Sequence, residues 1–356
     1  MNEDCLKLTI YFGEHQRVGH ELLSDALVDV YQRHELEAAV LLRGTEGFGL
    51  RHTLHTQRLL TLSEDLPLVS VAVDAREKVE HALPEVTEIV GKGLVTLERA
   101  RMLSGRVGAV ALPEAADEAT KLTVYCGRVE RSGGRPAYQA VIQLLHDRGV
   151  AGATAFLGLD GMRHGVRQRA RFFSRNEDVP LMVISVGDGP TIASVLPEVA
   201  ALLPRPLLTL ERVRVCKRDG VLLSEPMALP EADDAGLGIW QKLMVYAGEQ
   251  AQHEQHSLYI ALIRRLREEG AAGATALRGI WGYSGAHPPH GETLLSLRRT
   301  VPVVTVLVDR PERMQRWWRI VDELTDEAGL VTSELVPAFR AVGPEATSGG
   351  LDLATT

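Results

Sequence analysis

The sequence predicts an α+β fold of three tandem units, each with the ferredoxin-like order βαββαβ. Two observations lead to this prediction. The stretches LEAAVLLRGTEGFG, VAGATAFLGLDGMR and AAGATALRGIWGYS each join a small-residue run and an apolar strand to a glycine at Gly44, Gly158 or Gly279. In addition, Lys7 and Lys121 are separated by the same number of residues as Gly44 and Gly158. Self-similarity with so long a period indicates repeated structural units.

The first unit shows how the order is derived. Apolar and polar side chains alternate after Cys5, which is the period of a half-buried strand, and Gly13 ends that strand. Two later stretches have apolar residues at helical spacing, so each predicts an amphipathic helix. In chain order the predicted elements are a strand at 6–12, a helix at 22–31, strands at 38–42 and 68–73, a helix at 79–90 and a strand at 94–97.

The boundaries between units follow from composition. Two stretches rich in Ala, Gly, Pro and acidic residues both contain ALPEA, which predicts linkers. The C-terminal VGPEATSGGLDLATT predicts a disordered tail. Because each unit has sheet edges that need covering, we expect the units to pack as an intramolecular pseudo-trimer, a monomer with approximate threefold symmetry. The predicted division is unit 1 at 5–103, a linker at 104–119, unit 2 at 120–216, a linker at 217–239, unit 3 at 240–340 and the tail at 341–356.

Bulk composition excludes several classes of protein. The chain has 356 residues, 45% hydrophobic and 24% charged, which is ordinary for a globular protein. A net charge of -8 gives no global footprint for nucleic acid, so no nucleic-acid partner is expected. The N-terminus lacks the pattern of a signal peptide, no apolar run has the length of a membrane span, and cysteines are few. We therefore expect a cytoplasmic protein without membrane insertion.

Several motifs together resemble a known family. They are KLTIYFGE, KLTVYCGR and KLMVYAGE at the first strands, GATAFLG and GATALRG at the second, DLPLV, DVPLM and TVPVV before the third, and LVTLE at the last. These motifs are similar to those of the PII-like bacterial proteins called domain of unknown function 190. The resemblance implies units similar to PII signalling proteins, which form homotrimers, hold ligands in clefts between subunits and carry a mobile loop between the second and third strands. It also implies a partner protein, with a membrane channel or transporter as one candidate.

Glycines after the second strands are the first candidate ligand site. Beside an arginine, their backbone N–H groups could bind a nucleotide or another small anion. Alternatively they are tight turns that need a positive φ. The candidates are Arg43, Gly44, Gly47 and Gly49 in unit 1, and Arg278, Gly279 and Gly282 in unit 3.

Unit 2 contributes two further candidates. Its loop has arginines with no acid between Asp160 and Glu177, a pattern that suits either a phosphate-binding loop or a solvated basic loop. The turn before its second helix corresponds to the phosphate loop of PII proteins, although Pro190 stands where those proteins have a lysine. The residues concerned are Arg163, Arg167, Arg169 and Arg171 in the loop, and Gly187, Asp188 and Gly189 in the turn.

Histidine pairs provide an alternative function. Three H-x-x-H pairs suggest a metal-binding protein or metalloenzyme, similar to the trimeric divalent-cation tolerance proteins, although no third ligand is evident nearby. An enzyme with its site at a cleft between units is a further alternative, but no catalytic motif stands out. The leading hypothesis is a non-enzymatic, PII-like regulatory protein that senses a small ligand and presents loops to a partner. The histidines are His52, His55, His253, His256, His287 and His290.

Overall fold

A computed structural model of the chain describes residues 2–49, 55–56, 65–112, 118–168, 179–285, 288–291, 301–343 and 346–355. The longer strands are β1 Asn2–Gly13, β2 Ala38–Phe48, β3 Pro67–Ala75, β4 Gly93–Ser104, β5 Glu118–Gly127, β6 Gly152–Leu157, β7 Asp160–Arg163, β8 Pro180–Gly187, β9 Leu207–Arg218, β10 Trp240–Gly248, β11 Ala274–Arg278, β12 Trp281–Ser284, β13 Pro302–Asp309, β14 Leu330–Val336, β15 Ala338–Val342 and β16 Thr347–Gly350. The helices are α1 Leu23–Arg33, α2 Arg76–Ile89, α3 Ala137–Asp147, α4 Gly189–Ala201, α5 Leu258–Glu268 and α6 Pro311–Leu324.

Two-residue strands complete the described elements. Most of them form small hairpins beside the longer strands, such as the one that leads into α1. They are Arg17–Val18, Glu21–Leu22, His55–Thr56, Arg131–Ser132, Arg135–Pro136, Val166–Arg167, Val221–Leu222, Gln252–His253, His256–Ser257 and His290–Gly291. None of the helices in the described ranges is long and apolar enough to cross a membrane.

A closed antiparallel barrel organises the chain. Its nine strands follow one another around the barrel in the order β2, β3, β1, β4, β9, β14, β10, β13 and β11, and β11 pairs with β2 to close the circle. Because every strand has a partner on both sides, the barrel has no exposed edge. The barrel therefore depends on strands from all three sequence repeats.

The predicted fold class, three tandem ferredoxin-like α+β units, was wrong. The protein is mostly β, with 47% strand and 24% helix, and its strands form the closed nine-strand barrel. Strand β4 shows the physical reason, because one edge pairs with β1 of its own repeat and the other with β15 and β9 of other repeats. Alternation in a sequence indicates which side chains share a face of a strand, but it does not indicate the partner strand.

The same contacts between repeats recur around the barrel. The later half of β2 pairs with β11 of repeat 3, while β7 of repeat 2 pairs with the earlier half of β2. Correspondingly, β12 of repeat 3 pairs with β6 of repeat 2. Repeat 1 thus pairs with both neighbours through β2, whereas repeat 2 uses β6 and β7 and repeat 3 uses β11 and β12.

Apolar side chains fill the barrel and cover its outer face. The interior cluster includes Val71, Phe156 and Val306, and Trp240 stacks on Phe339 with ring centroids 4.0 Å apart. Outside, separate clusters lie under the helix pairs α1/α2, α3/α4 and α5/α6. Burial of apolar surface on both sides of the strands stabilises the barrel.

The predicted disordered tail is also corrected by the structure. Strand β16 pairs with β15, and the buried Ala354 accepts a hydrogen bond from Arg99 at 2.5 Å. The polar, glycine-rich composition of this segment predicted disorder because it offers little apolar surface. A strand edge next to it supplies backbone partners that composition does not show.

The glycines of the second strands allow the repeats to approach closely. A methyl group at Gly44 would lie 2.7 Å from Pro67 and 3.0 Å from Thr275 of repeat 3. One at Gly279 would lie 2.5 Å from Thr154 of repeat 2, and one at Gly282 would collide with a backbone oxygen of repeat 2. None of these glycines has a positive φ, so close packing rather than a tight turn requires them.

We predict that Gly282→Ala destabilises the protein, because the added methyl group must displace the backbone of β6. Overpacking of this kind typically costs ~1–3 kcal/mol. Gly108→Ala is the control, since a methyl group there meets open space and should change stability by no more than ~0.5 kcal/mol. Urea unfolding of both variants would test this, and equal midpoints would contradict it.

Candidate functional site

Buried charges from all three repeats meet where the repeats join. Each repeat places a lysine on its first strand and a glutamate on its last, and none of the six side chains is more than 8% exposed. The strand alternation explains this placement. In β1 the apolar Leu6 and Leu8 face the helices, while Cys5 belongs to the barrel interior, the side on which Lys7 also lies. The residues, here called the ion ring, are Lys7, Lys121, Lys242, Glu98, Glu211 and Glu334.

The ion ring is closed and alternates in charge. Each lysine contacts the glutamate of its own repeat and the glutamate of one neighbouring repeat. The three positive charges of the ring therefore balance its three negative charges. The ion pairs are Lys7–Glu98 at 2.8 Å, Lys7–Glu211, Lys121–Glu211 at 3.0 Å, Lys121–Glu334 at 2.5 Å, Lys242–Glu334 at 2.7 Å and Lys242–Glu98 at 2.5 Å. The ring therefore links all three repeats.

Mutual attraction in the ion ring outweighs desolvation for most of its groups. Burial favours the neutral form of Glu334, yet the nearby Lys121 and Lys242 lower its pKa to about 2. The pKa of Glu98 is likewise well below its ordinary value for the same reasons. Burial opposes a charged Lys242, but its glutamate neighbours raise its pKa. At Lys121 burial prevails, and there the pKa is lowered.

The ion ring contains a group of potential metal ligands, but its lysines already occupy them. Carboxylate oxygens of Glu98, Glu211 and Glu334 lie within 4.8 Å of one another, the only such group of three among the described residues. A cation there would meet the ammonium groups that contact the same oxygens, and their repulsion disfavours it. The geometry fits a structural ion cluster better than a metal centre.

A cavity of about 390 Å³ opens between repeats 1 and 3. Repeat 1 contributes Tyr11 and Phe12 from the end of β1 and Phe48 from the end of β2. Repeat 3 contributes Trp240 from the start of β10 and Val306 from β13. The walls are thus mainly aromatic and aliphatic, which is typical of small-molecule sites.

The corresponding cleft between repeats 2 and 3 is almost closed. It has a volume of about 30 Å³, and Tyr246 and Tyr283 line it. The hydroxyl of Tyr283 donates a hydrogen bond to the backbone oxygen of Val150 at 2.8 Å. The equivalent positions at the open cavity are Phe48, which has no hydroxyl, and Ala271, which is smaller than valine. The two clefts therefore differ at two equivalent positions, Tyr283 against Phe48 and Val150 against Ala271.

Ion pairs fill the junction between repeats 1 and 2. His164 is hydrogen-bonded to Glu37 of repeat 1, and this bond lowers the pKa of Glu37 despite its partial burial. Arg167 reaches three carboxylates, Asp160 at 2.7 Å, Asp25 at 3.2 Å and Asp29. Arg163 pairs with Glu130 within repeat 2. The predicted basic loop, where described, is therefore held by acidic groups.

The remaining arginine and glycine candidates have structural partners. Arg43 pairs with Glu14, and Arg278 pairs with Glu249, so a carboxylate already neutralises each guanidinium. Gly44, Gly47, Gly279 and Gly282 lie where strands of different repeats pack together. Gly49 lines the open cavity. Arg169 and Arg171 lie outside the described residues.

At the start of α4, the Gly187–Asp188–Gly189 turn carries its own carboxylate. Asp188 accepts a hydrogen bond from the Thr191 N–H at 2.8 Å and so caps the helix. The side chain occupies one of the donors that a phosphate would use, and its charge would repel an anion. The turn does not line the open cavity.

The structure brings no described histidine pair into a metal site. His253 and His256 face each other across a two-residue hairpin, without a third ligand close enough among the described residues. His290 is hydrogen-bonded to the backbone oxygen of Pro288 at 2.9 Å. His52, His287 and the side chain of His55 lie outside the described part of the chain.

Reasoning from the sequence missed both the ion ring and the cavity. A signal for the ring exists, because a lysine in each first strand and a glutamate in each last strand recur at matching places. For the cavity no comparable signal exists, since Trp240 and Phe12 read as ordinary core residues. Their common wall results from contacts between repeats.

Three homologous repeats that close one barrel, with a ligand-sized cleft between two of them, define a single-chain three-repeat barrel protein. The chain belongs to the DUF190 family, described as Uncharacterized ACR, whose model matches residues 5–102, 119–215 and 240–338. The predicted family membership, with three tandem copies, is thus confirmed. No function is known for this family.

The similar curated proteins correspond to single repeats. A UPF0166 protein of Aquifex aeolicus (strain VF5) is 31% identical over 93 residues, covering 26% of this chain and 86% of the relative. A UPF0166 protein of Methanocaldococcus jannaschii is 25% identical over 99 residues, covering 28% of this chain and 91% of the relative. Each relative therefore has about the length of one repeat.

Two solved structures show only distant similarity. An anthrone oxidase-like protein is 12% identical with a TM-score of 0.16, covering 58% of this chain and 92% of the other chain. The flavoenzyme CrmK is 12% identical with a TM-score of 0.19, covering 82% of this chain and 55% of the other. Scores this low support no conclusion about fold or function.

We predict that Lys121→Met strongly destabilises the protein. The substitution leaves two buried carboxylates without their shared ammonium group, and breaking a buried ion pair typically costs about 3–5 kcal/mol. Arg148→Met, which removes an ion pair at the surface, is the control and should have little effect. Denaturant unfolding followed by circular dichroism would measure both. Equal losses would show that the ring is not a stabilising link.

The ion ring also predicts a particular dependence of stability on pH. Because the pKa of Glu334 falls from 4.5 to about 2 on folding, its charged form stabilises the protein above pH 4.5. That contribution is lost as the pH falls from 4.5 towards 2. The difference in unfolding free energy between the wild type and Glu334→Gln should therefore shrink over this interval. A difference that stays constant would contradict the assignment.

Proposed function

We propose that the protein is a non-enzymatic, PII-like regulatory protein that senses a small ligand in the cavity between repeats 1 and 3. The observation that carries the proposal is the cavity itself, because its walls come from two repeats. A ligand there would contact both repeats at once. Its binding would therefore favour the arrangement of the two repeats that it fits best.

The unequal clefts support one site per chain. The open cavity measures about 390 Å³, against about 30 Å³ between repeats 2 and 3. A void of the smaller size holds about one water molecule, whereas pockets for small molecules typically begin near ~300 Å³. The ion pairs of Arg167 and the hydrogen bond of His164 fill the junction between repeats 1 and 2. We therefore propose that only the first cleft binds the ligand.

A partner protein is the second part of the proposal. The cavity is lined by Phe48, the last residue of β2, and the following Gly49, and by Asp65 and Pro67, the first residue of β3. The described residues that flank the connection between these strands therefore lie at the cavity wall. In this proposal, ligand contacts with these four residues alter how the connection is offered to a partner.

To test the site, we would measure binding of the fluorescent probe anilinonaphthalene sulfonate by the wild type and by Ala341→Phe. Ala341 lines the cavity, so a phenyl ring there should fill part of it and weaken binding. Ala228→Phe makes the same change at an exposed position and should leave binding unchanged. We expect saturation at one probe per chain, and a probe at ~100 times its Kd should add ~2.7 kcal/mol of stability.

A second measurement follows hydrogen exchange with the probe bound. Slower exchange in peptides that contain Gln16 and Phe48 would support a ligand-responsive cavity wall. Binding that Ala341→Phe does not weaken, in a variant folded by circular dichroism, would overturn the proposed site.

A further inference from the structure

We infer that the ligand has an apolar, preferably aromatic body and a head group with both an ammonium and a carboxylate, which is the chemistry of an apolar α-amino acid. This inference rests on the proposed function, because it names the ligand class for the same cavity. Two features carry it, the apolar walls of the cavity and the pair of opposite charges in its lining.

The walls suit an apolar body rather than a phosphate group. Phe12, Phe48 and Trp240 present aromatic surface, and Val306 and Val308 present aliphatic surface. Aromatic rings stack favourably in such surroundings. Among the described lining residues, Lys92 is the only cation, and no arginine is present. A di- or triphosphate would leave most of its charge unpaired and would be repelled by Asp65.

One turn contacts both charged residues of the cavity lining, Asp65 and Lys92. The N–H of His15 donates a hydrogen bond to Asp65 at 2.7 Å, and Asp65 lies directly over Gly13, where any Cβ would collide with it. On the other side, with its side-chain amide turned to match its neighbours, Gln16 donates to the backbone oxygen of Lys92 at 3.1 Å and accepts from the N–H of Gly13 at 3.1 Å. The turn from Gly13 to Gln16 therefore contacts the carboxylate of Asp65 and the backbone of Lys92.

These opposite charges are available to a ligand. Neither Asp65 nor the ammonium group of Lys92 takes part in an ion pair within the described ranges, in contrast to the paired Arg43 and Arg278. A carboxylate in an apolar cavity attracts an ammonium group, and the lysine attracts a carboxylate. A ligand that carries both groups would satisfy both residues, whereas an amine or an acid would satisfy one.

The experiment uses four probes with the same aromatic body. L-Tryptophan has both charged groups, tryptamine lacks the carboxylate, indole-propionate lacks the ammonium, and indole lacks both. Calorimetric titration of the wild type should give the lowest Kd for L-tryptophan. Loss of either charged group should raise the Kd at least about tenfold, since a charge-assisted hydrogen bond is then missing.

Variants assign each charge to a residue. Asp65→Asn should weaken binding of L-tryptophan and tryptamine but leave indole-propionate unchanged. Lys92→Gln should weaken binding of L-tryptophan and indole-propionate but leave tryptamine unchanged. Lys78→Gln, an exposed lysine outside the cavity, is the matched control and should change none of the four. The probe series on the wild type remains decisive even if a variant fails to fold.

The outcomes separate the ligand class from the proposed function. If all four probes bind equally and Ala341→Phe abolishes binding, the amino-acid class is overturned while the cavity remains a ligand site. If none of the four binds the wild type, or if Ala341→Phe leaves binding of all four unchanged, both the ligand class and the proposed site are overturned.

Discussion

The ion ring is the constraint on which the arrangement of the repeats depends. Lysines and glutamates from three repeats alternate around a buried centre, and each lysine contacts one glutamate of its own repeat and one of a neighbour. Desolvation makes buried charges costly, so only the closed arrangement provides every charge with partners. A shift of one repeat relative to the others would leave buried charges unpaired. The ring therefore disfavours other registers of the barrel strongly, whatever its net contribution to stability.

Joining the three repeats in one chain allows their contacts to diverge. A homotrimer must have three identical clefts, whereas here one cleft is open, one is closed by the hydrogen bond of Tyr283, and one junction is filled by the ion pairs of Arg167 and the hydrogen bond of His164. The conserved geometry of the barrel and the individual chemistry of each junction are separable. The ion ring fixes the geometry of the barrel, and a few side chains at the strand ends decide the chemistry of each junction.

Part of the structure could be predicted from the sequence for local reasons. The alternation of Leu6 and Leu8 with Lys7 predicted a strand, and β1 is that strand, because side chains of a strand alternate between its faces. The prediction that the strand is half-buried was incomplete, since its polar face also lies inside the barrel. Likewise, the glycines after the second strands signalled a special requirement. The requirement that the structure shows is close packing between repeats.

The sequence by itself determined the repeat organisation, the family and the positions of the helices and of the main strands of each repeat, because these depend on periodicity and on similarity between copies. Only the tertiary structure decided that the strands close into one barrel, that the charges of Lys7 and Glu211 meet, and that Trp240 and Phe12 share a cavity. These residues lie far apart in the sequence, and their proximity follows from which edges pair. Edge pairing is a property of the assembled sheet, so no local pattern in the chain encodes it.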